Sequence, residues 1–406
     1  MSSIYKMARR NLWRNKRRTI ITVASIFVTV FLALVMRSMQ DAVYAGMIDN
    51  SVKLTSGHIQ VQNKKYPDEK SVNNSVEDTP EMRNILSGTP GISMILPRIE
   101  SFALASSGNH TKGVAVNGID PVKEDSLLKL SDKITTGKYL TPGSRSVLIG
   151  EKLAAFLNIG AGDTMILIGQ GFRGVSAAGK FVVSGTFTYP SNEVEGQLIF
   201  IPVQAAAEFF DLGNRITSYK ILLNSYELVP EAEKYIEKRT DHRYAVLPWQ
   251  ELNKELLQAI AGDDAQGIIT LGILYVIAGF GILGTMIMMT MERKKEFAIM
   301  MSLGMQKNYL FRILGLETLL IGIAGTISGS IASYPLLLYL ENNPIQVTGD
   351  LAKTYIEFGM PPVIPFSTNP EIFVSQAIVT LLIAIAAVVY PVLIAGRINP
   401  AETMRG

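Results

Sequence analysis

Gly267-Ile-Ile-Thr-Leu-Gly-Ile-Leu-Tyr-Val-Ile-Ala-Gly-Phe-Gly-Ile-Leu-Gly-Thr-Met-Ile-Met-Met-Thr-Met291 holds 25 residues without a charge, and Glu292-Arg-Lys-Lys-Glu296 follows at once. Crossing ~30 Å of hydrocarbon takes about 20 apolar residues at 1.5 Å each, so this run is long enough to span a membrane with some tilt. Three more runs repeat the pattern. Ile372–Gly396 is equally long and uncharged, Ile313–Leu340 contains one acid, Glu317, and Ile20–Met36 is the shortest. Thr19 and Arg37–Gln40 extend this last run by snorkelling. A signal peptide is the rival reading of 20–36, but no small-x-small cleavage site follows, and the basic region before it is long. Only 18% of the chain is charged and 48% is hydrophobic, against about 25% charged in soluble domains. The sequence thus predicts spans at 20–40, 267–291, 313–340 and 372–396.

Charge orients them. Residues 1–19 carry Lys6, Arg9, Arg10, Arg14, Lys16, Arg17 and Arg18 and no acid. The 292–312 loop has five basic residues against two acids, and the 397–406 tail has two against one, whereas 341–371 has one Lys against four acids. By the positive-inside rule, both termini are expected in the cytoplasm and 41–266 outside. The basic N-terminal stretch then reads as an anchor on anionic lipid, with no nucleic acid as partner.

The segment 41–266 reads as an α+β domain between the first and second spans. Alternation predicts strands at His58–Gln62, Thr164–Ile168, Phe181–Phe187, Gln197–Ile201 and Thr217–Leu223. Thr79-Pro80-Glu81 opens a helix that Gly88 closes, and further helices are expected at Glu151–Leu157, Val203–Phe210, Pro230–Arg239 and Trp249–Ala261. The pattern suggests a lobe at about 134–212 inserted between a βαββ and a βαβ unit. Met39, Val43, Met47 and Ile48 keep helical spacing past the first span, as Leu252, Leu256, Leu257 and Ile260 do before the second. These read either as stalks that couple the domain to the spans or as ordinary connecting helices.

Chemical sites are scarce. With no cysteine and three scattered histidines (His58, His110, His242), no disulfide, thiolate or His-cluster metal site is expected. Gly174-Val-Ser-Ala-Ala-Gly179-Lys180-Phe181 approaches a phosphate-binding loop, but Phe181 replaces the Mg-binding hydroxyl and the following residues read as a strand, not a helix. Residues 169–180 are better read as a flexible hairpin tip, or as a partner loop built on Gly169, Gly171, Phe172, Arg173 and Gly174. No catalytic motif appears, so no enzymatic activity, metal or cofactor is expected of this chain. Glu317, within a span, is expected to snorkel or pair with Arg312; pairing with another helix or with the 292–305 segment is the alternative. Gly325, Gly329 and Ser333 form a small-residue stripe, and Gly281 with Gly284 a weaker one. Both suit close helix packing, within the chain or between two subunits. In Glu292–Met305, Phe297, Met300, Met301 and Gly304 share one helical face. That face is suited to docking on a partner or to lying among lipid headgroups.

Three blocks together resemble the FtsX/MacB/LolC-LolE permeases of ABC transporters: Arg9-Arg-Asn-Leu-Trp-Arg-Asn-Lys-Arg-Arg-Thr19, the Glu292-Arg-Lys-Lys-Glu-Phe-Ala…Ser302-Leu-Gly-Met305 stretch with Glu317 downstream, and Tyr390-Pro-Val-Leu-Ile-Ala-Gly-Arg-Ile-Asn-Pro-Ala-Glu-Thr-Met404. The resemblance spans essentially the whole chain. It implies a MacB-like two-lobed outer domain and a coupling helix at about 295–304, formed by Glu296, Phe297, Ala298, Met300, Met301, Leu303, Gly304 and Met305. That helix would dock on a separate ATPase that binds ATP and Mg. It also implies a unit of two permeases, identical or homologous, and two ATPases, in a bacterial inner membrane. ATP-driven closure would then move the outer domains. Lipoprotein release, with a periplasmic carrier, is the leading expected role. Efflux of a small molecule or peptide and signalling to a cell-wall hydrolase are the alternatives.

Overall fold

The computed structural model describes residues 2–14, 16–189, 192–350, 352, 355 and 362–397. The chain forms two compact units. One comprises Met1–Ala45, Ala259–Gln346 and Val363–Gly406, the other Gly46–Gln258 with Val347–Pro362.

Along the chain, helices α1 (Ser2–Arg14) and α2 (Lys16–Ser51) come first. Strand β1 (Ile59–Asn63), β2 (Val76–Glu77) and helix α3 (Pro80–Ser87) follow. Then come the long β3 (Ile92–Ser107), β4 (His110–Ile119), α4 (Pro121–Leu128), β5 (Ile134–Gly137), β6 (Ser146–Gly150) and α5 (Glu151–Leu157). Next are β7 (Thr164–Gln170), β8 (Ser176–Phe187), α6 (Asn192–Gln197), β9 (Leu198–Pro202) and α7 (Val203–Phe209). The unit closes with β10 (Arg215–Ile216), β11 (Ser218–Leu223), α8 (Val229–Glu237), β12 (Tyr244–Pro248) and α9 (Trp249–Leu252). Helices α10 (Lys254–Glu292), α11 (Lys294–Ser302), α12 (Lys307–Asn342) and α13 (Pro370–Gly396) follow.

Among the described residues, four helices are long and apolar enough to cross a membrane: Lys16–Ser56, Lys254–Glu292, Lys307–Asn342 and Pro370–Gly396. Their inward faces meet at Ile26, Val30 and Leu34 of α2, Ile282 and Met286 of α10, Ile321 of α12 and Ala387 of α13. Their outward faces are apolar as well, with Ile269, Ile277 and Phe280 exposed on α10 and Val374, Leu382 and Leu393 on α13. A helix greasy all round suits a lipid surround, where every backbone polar group is satisfied within the helix. α12 is the most enclosed, half of its apolar window being buried.

In the other unit, β3 belongs to two sheets. Its first half pairs with β11, which continues through β1 to β12, all antiparallel. Its second half pairs with β4 on one side and β7 on the other. β4 then pairs with β9, β9 with β6, β6 with β8 and β8 with β7, so six strands close on themselves. Closure removes free edges. Alternate residues point inward as strand geometry requires: Ala103, Ala105, Val114, Val116, Val147, Met165, Leu167, Phe181 and Ile199 share one core. Their neighbours Phe102, Leu104, Ile166, Ile168 and Val182 face outward and are exposed. Strands β5 to β9 of the 134–212 segment therefore join the rest through β3 and β4, and β3 is common to both sheets.

Local chemistry fixes the helix ends. Thr79 accepts a bond from the Met82 amide at the start of α3, with Pro80 in the first turn. Asp120 caps α4 in the same manner. The single helix expected over Trp249–Ala261 is broken at Asn253 (φ −114°, ψ 38°), whose side chain bonds to Ser51 and Ser56 as well as to Trp249 O.

Candidate coupling site

The 292–305 segment turns sharply at Arg293 (φ −93°, ψ 8°) and enters α11. Arg293 is buried, and its Nη1 donates to both oxygens of Glu317 at 3.0 Å. Asn11 of α1 donates from Nδ2 to the same carboxylate at 2.7 Å. Glu317 is 1% exposed, so α1, the start of α11 and α12 converge on one buried acid. The expectation of snorkelling, or of pairing with Arg312, is corrected. Five residues apart on a helix, the two side chains lie about 140° apart around the axis, and Arg312 is exposed. A buried carboxylate demands a partner, and that demand was the available signal for Arg293 and Asn11.

Phe297 and Ala298 are fully buried against Leu310 and Leu314 of α12 and Ala395 of α13, with Met300 and Met301 partly buried beside them. The expectation of Phe297 as an outward docking residue is therefore corrected: its ring holds α11 to the unit, 5.1 Å from the Arg293 guanidinium. The residues turned outward are Ile299, 51% exposed, and Leu303, 84% exposed. Glu296 is half-exposed and pairs with Arg14 at 2.5 Å. Gly304 (φ +94°) takes the left-handed conformation that ends such helices, and the Met305 amide donates to Met300 O at 3.0 Å. Between α1, α11 and α12 lies a groove of about 910 Å³ with Lys6, Arg10, Arg14, Met7, Trp13 and Met300 on its walls. Its lining thus mixes basic and apolar side chains with the acid Glu296.

The other residues singled out in the sequence lie apart from this site. A Cβ on Gly325 would sit 2.6 Å from Cβ of Ile26, and one on Gly329 would sit 2.9 Å from Cβ of Val30. Buried Ser333 donates to Ser330 O. This stripe lets α12 press on α2 within the chain. Gly281 faces Ser25, whereas Gly284 has nothing within 4 Å.

The 169–174 loop is fastened, contrary to a flexible tip. The Phe172 amide donates to Phe210 O at 2.8 Å, and the Arg173 amide to Asn73 Oδ1 at 2.6 Å. The Arg215 guanidinium covers the Phe172 ring at 5.1 Å. A Cβ on Gly169 would fall 3.2 Å from Phe102 O and one on Gly171 2.9 Å from Phe210 O, and Arg173 (φ +56°) and Gly174 (φ +80°) make the turn. Elsewhere in this unit, Arg98, Glu124 and Lys220 are buried together, and burial with Arg98 alongside pushes the Lys220 ammonium down to about 7. Burial likewise lowers His58, whose Nδ1 accepts from the Leu223 amide. Among the described residues no His, Cys, Asp and Glu group is placed to hold a metal. The C-terminal part of the third resembling block, 398–404, lies outside the described residues, as does most of the 397–406 tail.

Four helices apolar enough to span a membrane among the described residues, with an α/β unit between the first two, define a multi-span membrane protein with an inserted domain. The MacB-like periplasmic core domain family matches residues 19–239, and the FtsX-like permease C-terminal family matches 268–400. The chain belongs to this family of ABC transporter permeases, with a periplasmic domain between its first two spans. Membership implies a partner ATPase, since a permease is the non-catalytic subunit. Among curated proteins, it is 25% identical over 329 residues to the lipoprotein-releasing system transmembrane protein LolC of Xylella fastidiosa (strain 9a5c), which covers 78% of each chain. It is 23% identical over 350 residues to LolC of Neisseria meningitidis serogroup B, covering 80% of this chain and 81% of that one. The crystal structure of the periplasmic region of MacB from Actinobacillus actinomycetemcomitans, 17% identical, covers 52% of this chain and 97% of its own, with a TM-score of 0.36.

Proposed function

We propose that this permease passes ATP-driven movement of its ATPase through α11 to the periplasmic domain, and that its substrate is lipoprotein released from the membrane. Both termini and α11 then face the cytoplasm, in a bacterial inner membrane. The working unit is two permeases, identical or homologous, with two ATPases that bind the ATP and Mg. The observation that carries the reading is the two-sidedness of α11. Arg293, Phe297 and Ala298 lock one side to α12 and α13, while Ile299 and Leu303 offer an apolar ridge on the other. A helix rigidly tied to a span, with a free apolar ridge, suits the hand-over of force better than a helix that floats. The likeness to LolC proteins over most of both chains supports lipoprotein as substrate.

The test is co-purification with the cognate ATPase and measurement of ATP hydrolysis with and without a triacylated lipoprotein. Stimulation by lipoprotein, lost in Leu303→Asp together with ATPase binding, supports the reading. Phe297→Ala is expected to act differently, lowering thermal stability by about 3–5 kcal/mol as a core truncation. A stable complex that ignores lipoprotein moves the substrate to a small molecule or peptide, or the role to control of a cell-wall hydrolase. A Leu303→Asp protein that still retains the ATPase refutes α11 as the docking element.

A further inference from the structure

α2 ends at Ser51 and passes through a widened helical turn, Val52–Ser56, before Gly57 turns the chain into β1. At the other end of the periplasmic unit, α9 stops at Leu252, Asn253 leaves the helical conformation, and α10 begins at Lys254. These two helix ends meet through one amide. Asn253 Nδ2 donates to Ser56 Oγ at 3.0 Å and to Trp249 O at 2.8 Å, and its Oδ1 accepts from Ser51 Oγ at 2.6 Å.

A second pin reaches the same turn from the sheet. Lys220 of β11 is fully buried and donates from Nζ to the carbonyl of Lys53. Its charge lies 3.6 Å from Glu124, which Arg98 also contacts. Gly57 clears the route. A Cβ there would fall 2.7 Å from Cγ of Lys220 and 2.8 Å from Ile221 O, at a φ of +67° that only glycine adopts without strain. For packing alone, an apolar side chain would serve as well without burying an ammonium group. What the ammonium adds is a directed bond to a carbonyl at a helix end, where such groups otherwise lack partners.

We propose that Asn253 and Lys220 are positioning residues that fasten the helices running on from the first and second spans to the periplasmic sheet at one joint, so that both spans move the domain together. This rests on the transmission reading above. The chain is naturally free of cysteine, which makes the joint open to a reversible test. Ser51→Cys/Asn253→Cys is prepared in the full complex with its ATPase. It is compared when bridged by a one-carbon bis-thiosulfonate and when released by reductant, alongside Asn253→Ala. Amide hydrogen exchange of β1 and β11 is followed with and without vanadate-trapped nucleotide, together with basal ATP hydrolysis.

In the wild type, nucleotide trapping is expected to change exchange in these strands. Asn253→Ala and the unbridged cysteine pair are expected to hydrolyse ATP at the basal rate but to lose that change, and bridging is expected to restore it. A purely structural role would not respond to the bridge in this way. If the unbridged pair keeps the full nucleotide-dependent change, the joint is refuted while transmission stands. If the wild type itself shows no change, transmission falls first, and the joint with it.

Discussion

Replacing Asn11 with alanine is expected to release helix α1 without disturbing the spans. Glu317 would keep both bonds from Arg293 at 3.0 Å, so no charge is orphaned, and only the 2.7 Å bond from Asn11 disappears. A hydrogen bond to a charged group contributes about 1.5–3 kcal/mol. Alanine recovers roughly 0.6 kcal/mol of that through its better helix propensity. The net loss is then about 1–2.5 kcal/mol, which raises the opening equilibrium of α1 about 5- to 60-fold. Tryptic cleavage at Arg9 and Arg10 reads this opening directly, because proteolysis of a transiently open segment follows its population when reclosing is fast. The rate is measured by mass spectrometry on the purified protein, with Trp13→Ala as control. Trp13 is 81% exposed, and its loss is expected to leave the rate unchanged. An Asn11→Ala protein cleaved within about twofold of the wild-type rate refutes the idea that the buried carboxylate holds α1 in place.

Contacts elsewhere in the chain give further expected outcomes. Asp78 accepts from Arg83 Nε at 2.6 Å and from Tyr219 Oη at 2.8 Å; burial pushes its pKa up, but these bonds outweigh burial and hold it below the usual carboxylate range. A carboxyl held below its unfolded value adds stability above that value and loses it as pH falls through the folded one. Asp78→Asn is therefore expected to cost about 1–2 kcal/mol at neutral pH, Arg83 being well solvated, with the gap closing in strong acid when unfolding is followed against pH. Gly325→Val would press into Ile26 of α2 and is expected to lower thermal stability in detergent by about 1–3 kcal/mol, whereas Gly284→Ala, in open space, is expected to be neutral.

The spans were legible because membrane thickness imposes a length that no other element needs, and uncharged runs of that length are unmistakable. The cap at Thr79 was legible for a similar reason: its chemistry is local. The closed ring of six strands was not. It depends on β3 changing partners midway, from β11 to β4 and β7, and long-range pairing leaves no mark in a period-two pattern. The fastening of the 169–174 loop was equally hidden, since the groups that hold Phe172 and Arg173 come from Phe210 and Asn73. Glycine-rich composition reports what a backbone is free to do, not what distant residues then prevent.

The clearest case is α11. Its sequence carries two apolar faces: Phe297, Met300 and Met301 on one, and Ile299 and Leu303, four residues apart, on another. Periodicity identifies residues that share a face but not the direction in which that face points. The larger and more coherent face suggests docking, yet a stronger apolar face is also the one that burial in the protein's own core recruits first, at roughly 1.5–3 kcal/mol per large side chain. Leu310, Leu314 and Ala395 supply that core, and nothing near residue 297 announces them. Where a short amphipathic helix stands beside a span, the weaker apolar face is the better candidate for a partner, because the stronger one has already been spent on holding the helix in position.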